Sequence, residues 1–522
     1  MTKKRLLAIS SVVLVALVSA VLMAGPLLSS LLHKRIETFL ESKFQSAIEI
    51  DNFRFSIAPV PSVTIVGLTL RHHNRTDVPP LIQIQSLSMA PHLTTVFRPV
   101  LRFGNVRLEG LKITLPPRDS NSKPAGAPPA RKPVRFPIFV EMLEANDAAV
   151  TILRAQPEKD PLEYPIHSLK MKDLSFDGPA AFEAWLTNAV PRGEIHVRGT
   201  FGPWNGELPR ATPIQANYQF QKADLSTIKG LQGVLSSTGS FGGPLDYMEV
   251  TGTTETPDFT LRRVGNPIEL KTTFTAAVDG TNGNTYLHSI EAQFLSTTLH
   301  TSGQIVDLVS GVRSRTILID ATSDSARAED LIRLAAKTDS PVLRGPVKLT
   351  AKIEIPEGDR DLSDRLKITS NFHLLDGLFT NPEIQQKVDA LSRKGQGEPK
   401  DLNISHVRSQ LDASLRVTDG VVGFDSIRFT VPGARLDLHG SYTLGNGGLD
   451  FRGDLYLDAK LSQTTTGWKA LLLKAVDPFF RGEDGGSRLP VKIEGTKDRP
   501  VFGLDRAKPR EQVSEQSREK MR

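Results

Sequence analysis

The side chains that could do chemistry in this chain are carboxylates and imidazoles, because it has no cysteine. Disulfides, thiolate metal sites and thiolate nucleophiles are excluded on that ground. Asp450, Asp454 and Asp458 recur at even spacing, with Asp437 upstream. A pair of them could carry general acid–base work, as in a carboxylate hydrolase. They fall on the polar positions of alternating stretches, however, which is the pattern of a wet strand face. His72 and His73 are adjacent, so on a strand they point to opposite faces and cannot share a metal. "PEGDRDLSD" (356 to 364) gathers acids around Arg360 without the regular oxygen-ligand spacing of a calcium loop, and reads as a solvated loop. "STGSFGGP" (237 to 244) is followed by no helix and no Lys-Ser/Thr pair, so a hairpin turn is expected rather than a phosphate cradle. No G-x-S-x-G elbow occurs. These residues lead to no catalyst, no metal and no cofactor, and the chain is read as a non-enzyme.

The elements that would position such side chains are mostly strands. In "ASLRVTDGVVGFDSIRFTVPGARLDLHGSYTL" (413 to 444) apolar residues stand two apart, as at Leu415 and Val417, at Ile427, Phe429 and Val431, and at Leu436 and Leu438. The same period runs from Ile48 through Leu115, with a slip at Gly67 where a bulge or turn is expected. Strand and turn resume at Val150 to Leu153 and continue from Gly193 to Ile319, with "GTNGN" (280 to 284) as a hairpin signal. Helical spacing is confined to a segment ending near Gln45, a short stretch around Ala181 to Asn188, "RAEDLIRLAAK" (327 to 337), "NPEIQQKVDALSRKG" with Asn381 as N-cap and Pro382 at the first position, and "GWKALLLKAV" (467 to 476).

A net charge of +6 over 522 residues, with no basic stripe interleaved with aromatics, argues against a nucleic-acid partner. The N-terminus argues for a membrane. Lys3, Lys4 and Arg5 precede an uncharged stretch from Leu6 to Leu32, long enough for the roughly 20 apolar residues a spanning helix needs. The cations favour an N-in orientation. A cleaved signal peptide with "VSA" (18 to 20) as its small-residue site is the alternative, and either way the bulk is exported.

The chain resembles the AsmA-like proteins of double-membrane bacterial envelopes. The resemblance rests on the membrane helix, on "IEIDNFRFSIAPVPSVTIVGLTL" and "IQSLSMAPHLTTVFRPVLRFGNVRLEGLKITLP", and most densely on "SLRVTDGVVGFDSIRFTVPGARLDLHGSYTL", "LDFRGDLYLDAKLSQTTTGWKALLLKAVDPFF" and "LPVKIEGTKDRPVFGLD". It implies a bridge-like, chorein-related fold, mainly β: an N-terminal transmembrane helix, then a long curved antiparallel sheet with an apolar trough and a few short helices. It also implies a single-pass inner-membrane anchor, a body in the periplasm, and a part in phospholipid movement or outer-membrane homeostasis. Expected partners are phospholipid, the inner membrane, and other envelope proteins or further copies of the chain. The family supplies no catalytic residue to carry over.

The expected organisation is a membrane anchor and following helix (1–46), an N-terminal β region (47–115), a Pro-rich linker (116–137), a middle β region (138–325), a C-terminal β region with short helices (326–505) and a charged tail (506–522). A sheet with one apolar face must bury it. Either the sheet curls or stacks on itself, or acyl chains fill the trough at about 0.8 kcal/mol per CH₂. The residues expected to line it are Ile50, Phe53, Phe55, Ile57, Val63, Ile65, Leu68, Leu70, Ile84, Leu87, Met89, Leu108, Ile113, Ile427, Phe429, Leu436, Leu438, Leu455 and Leu457. Alternation says that such residues are buried, not by what. A non-transporting envelope scaffold that assists outer-membrane protein assembly is the rival expectation.

Overall fold

The computed structural model describes residues 26–41, 48–56, 60–71, 79–115, 138–153, 161–175, 177–205, 208–262, 265–309, 312–338, 340–358, 360–464, 486–496 and 499–505. The expected linker, the expected helix at 467–476, His72, His73 and the tail lie outside them, as do residues 1–25. Among the described residues no helix is long and apolar enough to cross a membrane. The fold is mainly β, and the chain divides into two compact units.

The first unit opens with α1 (residues 26–41). Its strands are β1 (Ile48–Ser56), β2 (Ser62–Leu70), β3 (Ile82–Pro91), β4 (Leu101–Glu109), β5 (Lys112–Leu115), β6 (Ile138–Ile152), β7 (Leu162–Ser175), β8 (Ala180–Asn188), β9 (Arg192–Phe201), β10 (Pro213–Asp224), β11 (Leu231–Gln232), β12 (Val234–Pro244), β13 (Met248–Leu261) and β14 (Ile268–Val278). Pairing is antiparallel and mostly between consecutive strands, with β3 pairing both β4 and β5 and β10 pairing β12, except that β4 and β5 both pair parallel to β6. The sheet is therefore mixed rather than wholly antiparallel. A parallel neighbour needs a crossover of a dozen or more residues, and residues 116–137 provide that length.

Two expectations of local structure are corrected here. Residues 181–188 form strand β8, not a helix: Phe182, Ala184 and Leu186 alternate with Glu183, Trp185 and Thr187, and β7 and β9 hold both edges. The glycine-rich stretch 237–244 is strand β12, not a turn; the turn follows it, closed by Tyr247 N–H to Pro244 O. At Gly67 the register does not shift. Instead the ladder is interrupted by one or two pairs at the same level on successive strands, at Asp51, Gly67, Gln85, Gly110, Asp147 and His167. Gly67, Gly110 and Asp147 there have φ of 69°, 64° and 52°. This crease carries the parity slip from strand to strand, so Leu68 and Leu70 are buried although Val63 and Ile65 are out of step with them.

The chain passes on through β15 (Thr285–Phe294), β16 (Thr297–Val309) and β17 (Val312–Arg327). The second unit then contains α2 (Ala328–Ala335), β18 (Leu343–Arg344), β19 (Pro346–Ile355), α3 (Leu362–Arg365), β20 (Lys367–Phe379), α4 (Pro382–Gly395), β21 (Ser409–Thr418), β22 (Val421–Val431), β23 (Ala434–Thr443), β24 (Gly448–Leu457), β25 (Ser487–Thr496) and β26 (Arg499–Leu504). The short α3 falls within the acidic stretch expected to be loop. From β19 to β26 the pairing is antiparallel, each long strand with the next. Asp419-Gly420, with φ of 50° and 75°, makes a two-residue turn of the kind whose twist suits a hairpin. Pro432-Gly433, with Gly433 at φ 82°, makes the next. Helix α4 starts as its sequence dictates, with Asn381 Oδ1 accepting from the N–H groups of Glu383 (2.8 Å) and Ile384 (3.3 Å).

Candidate apolar binding face

In the first unit the registers line up apolar side chains across twelve strands. One row runs Phe53, Ile65, Leu87, Leu108, Ala145, Leu169, Ala184, Val197, Tyr218, Gly239, Gly252, Phe274. The next runs Phe55, Val63, Met89, Val106, Leu143, Met171, Phe182, Gly199, Ala216, Phe241, Val250, Ala276. At a strand spacing of about 4.8 Å each row runs roughly 50 Å along the sheet.

What covers these rows changes along them. Over β1 to β6 they pack in one cluster with Leu28, Leu32, Ile36 and Leu40 of α1. Phe39 of the same helix is 1 % exposed. Arg35 fastens α1 by donating to the carbonyls of Val96 and Arg98. Of the residues expected to line a trough, Val63, Ile65, Leu68, Leu70, Leu87, Met89 and Leu108 are buried in this cluster, and Ile50, Phe53, Phe55, Ile84 and Ile113 are half-buried against it. Ile57 lies outside the described residues.

Farther along, the cluster around Ala184, Val197 and Ala216 contains only residues of β7, β8, β9, β10 and β12: Leu169, Phe182, Leu186, Ile195, Tyr218 and Phe241. Among the described residues no helix and no second sheet contributes to it. Here the face is built differently. A Cβ on Gly239 would stand 2.9 Å from Cε1 of Tyr218, and one on Gly252 would stand 2.6 Å from its hydroxyl and 3.1 Å from Cζ of Phe274. Two aromatic rings thus lie down over two glycines, which makes a shallow floor. Burial pushes the Tyr218 phenol up, against the opposing effect of its hydrogen bond with Ser237 (3.2 Å).

The second unit repeats the contrast. The row Val347, Leu374, Leu411, Phe429, Leu436, Leu455, Leu489 is gathered, except for Leu436, into two clusters. One includes Leu331 of α2 and the other Val388 and Leu391 of α4. Phe429, Leu455 and Leu457 therefore sit beside α4, while Ile427 and Leu436 (half-buried) and Leu438 (buried) stand outside that cluster. Two rows farther down the strands belong to neither cluster. They are Ala351, Ser370, Leu415, Phe424, Gly440, Phe451, Ile493, Phe502 and Ile353, Ile368, Val417, Val422, Tyr442, Leu449, Gly495, Pro500. A bulge between Phe424 and Ile427 keeps both residues on the apolar side despite their odd spacing. Phe424 and Phe451 lie 5.6 Å apart, and Phe502 at the last strand is 72 % exposed.

Apart from Ile427, Leu436 and Leu438, the residues outside the helix-packed clusters are ones the sequence reading did not name as lining a trough. Their signal was present, since Phe182, Ala184 and Leu186 alternate like any strand, but Phe182 to Leu186 fall in a stretch that reads as helix and Gly239, beside Tyr218, in one that reads as a turn.

The opposite face is polar, and in the second unit it holds a concavity of about 1030 Å³. A ladder of charges crosses it: Lys348 with Asp324 (3.8 Å), His373 with Asp412, Arg428 with Asp437 (3.1 Å) and Arg488 with Asp454 (2.8 Å). Asp437 and Asp454 are opposed in register, but Arg428 and Arg435 bind the first and Arg488 binds the second. Asp458 does not line the concavity. On the first unit's polar face Glu183 accepts from His196 (2.9 Å) and Arg198 (2.8 Å), which hold its carboxyl below the usual range. Among the described residues no group of three or more His, Asp or Glu could hold a metal ion. Comparison with family models, curated proteins and solved structures finds no match to this chain.

Proposed function

We propose that this chain is an inner-membrane-anchored periplasmic protein that carries phospholipid acyl chains along an apolar β-sheet face and so contributes to outer-membrane lipid homeostasis. One observation carries the reading: the apolar rows continue in register over β8 to β14 past the point where α1 covers them, and among the described residues the cluster around Ala184, Val197 and Ala216 is built from sheet residues alone. Apolar area left to water in this way is costly at about 25 cal/mol per Å², and a hydrocarbon tail removes that cost. Because the row is apolar strand after strand, a tail gains nearly the same at each position. It can therefore slide with its polar head in solvent, and no catalytic group is required.

The acyl chains are assigned to the uncovered face around Phe182, Tyr218 and Phe241, and to the lower rows of the second unit around Phe424 and Phe451. They are not assigned to the positions under α1 and α4. The test is a photo-crosslinking amino acid placed at Phe241, at Phe53 under α1, and at Asn217 on the polar face. Lipid adducts are expected at Phe241 and not at Asn217 or Phe53. Equal labelling at Phe241 and Asn217 would overturn the reading. If Phe182→Asp and Phe241→Asp leave outer-membrane integrity intact in a folded protein, the scaffold alternative replaces it.

A further inference from the structure

On the inner face of the first unit the apolar band is bordered by hydroxyls. In the row beside Tyr218, Gly239, Gly252 and Phe274, the register sets Ser237, Thr254 and Thr272 side by side. Ser237 donates to the carbonyl of Thr253 (2.8 Å), so its oxygen accepts from the Tyr218 hydroxyl. Thr254 and Thr272 place their Oγ1 atoms 2.6 Å apart, which uses one of their two protons. One O–H donor is left at the edge of an apolar floor. Hydroxyl pairs also line the outer face, at Thr238 with Thr253 and Ser240 with Thr251, but those are exposed to solvent whereas the Thr254–Thr272 pair is half-buried.

We infer that the Thr254–Thr272 pair receives an ester carbonyl of a diacyl glycerolipid whose chains lie on the adjoining band. The inference rests on the acyl-binding reading above and adds to it the class of linkage that the site selects. An ester carbonyl drawn onto an apolar face loses its water donors, and an uncompensated acceptor opposes binding. The spare threonine proton replaces the lost donor. A dialkyl ether lipid with the same chains and head gains the same burial but has no carbonyl to accept the bond.

The experiment uses the full-length protein and two photoactivatable glycerophospholipids of equal chain length, one diacyl and one dialkyl ether, each competed with the other. Wild type should prefer the ester by roughly two- to tenfold, the range of one net neutral hydrogen bond. Thr254→Val with Thr272→Val should abolish the preference. Thr254→Ser with Thr272→Ser should keep it. Wild type binding both lipids equally overturns this inference alone, and so does a folded double-valine variant that still prefers the ester. Wild type binding neither lipid overturns the acyl-binding reading and this inference with it. The wild-type comparison decides the matter even where the double-valine variant does not fold.

Discussion

Asp389 is the residue whose loss should open the covered part of the second unit. It lies on α4, 6 % exposed, and its carboxylate is an acceptor for three donors: Gln385 Nε2 (2.8 Å) and Val407 N (2.9 Å) on one oxygen, His406 N (3.1 Å) on the other. Burial works to raise this carboxyl, but the donors of Val407, Gln385 and His406 outweigh it and hold it below its ordinary range. Asp389→Ala orphans all three donors. At about 1–3 kcal/mol for each buried donor left unmet, and allowing that water and a turned Gln385 amide recover part, the loss is about 3 kcal/mol. At 1.4 kcal/mol per tenfold, amide exchange at Val407 and along α4 should speed up by roughly a hundredfold. Asp389→Asn keeps the shared oxygen but sets an amide N–H against that of His406, so it should cost about 1–2 kcal/mol. The sign with pH follows from the lowered folded pKa. The contribution is fully present above the unfolded value of about 3.9 and is lost as pH falls through the lower folded value. Exchange protection at Val407 should therefore hold from neutral pH down to about 4 and then fall, and the Asn variant should lack that acid limb. A rise in exchange of less than about threefold for Asp389→Ala would refute the reasoning.

Three further substitutions, one of them a control, separate floor from cover. Gly239→Ala would put a Cβ 2.1 Å from the carbonyl oxygen of Thr251, an atom of backbone, so β12 and β13 must part. Overpacking of this kind costs about 1–3 kcal/mol or more, and exchange should rise across both strands. Gly445→Ala, with nothing within 4 Å, should change stability by less than about 1 kcal/mol in either direction. Phe39→Ala, at a side chain of α1 that is 1 % exposed, should cost about 3–5 kcal/mol, read as lost protection over β1 to β4.

The alternation at 413 to 444 and beyond gave the strands and the polar parity of Asp437 and Asp454 correctly, and Asn381 with Pro382 gave the start of α4, because each depends on side chains within a few positions of one another. What failed depended on neighbours distant in sequence. Residues 181–188 contain Ala, Glu and Leu, all good helix formers, yet β7 and β9 offer open edges on both sides and Phe182, Ala184 and Leu186 fit the resulting face. The slip at Gly67 was visible, but not that Asp51, Gln85, Gly110 and Asp147 slip at the same level, which turns a bulge into a crease. The parallel pairing of β4 with β6 leaves no local signature, since it depends on where a 22-residue connection (116–137) returns the chain.

The candidate face shows the same limit in a more useful form. Under α1 the rows are built from large side chains such as Ile65, Leu87 and Leu108, which stand up into the helix. Beyond it, large and small alternate from strand to strand: Phe182 beside Gly199, Ala216 beside Phe241, Tyr218 beside Gly239. Ala184 and Ala216 are only 5 % and 4 % exposed although, among the described residues, no helix packs in their cluster; the rings of Phe182, Tyr218 and Phe241 pack against it from within the sheet. A face meant to stay under protein has no need of that device. A face that must tolerate water when empty gains from it, since rings lying flat over glycine expose less apolar area than rings standing up. On the acyl-binding proposal, the same flatness suits a tail that must slide, and the alternation of size along the rows, more than the alternation of polarity along each strand, is what distinguishes this face from the part packed under α1.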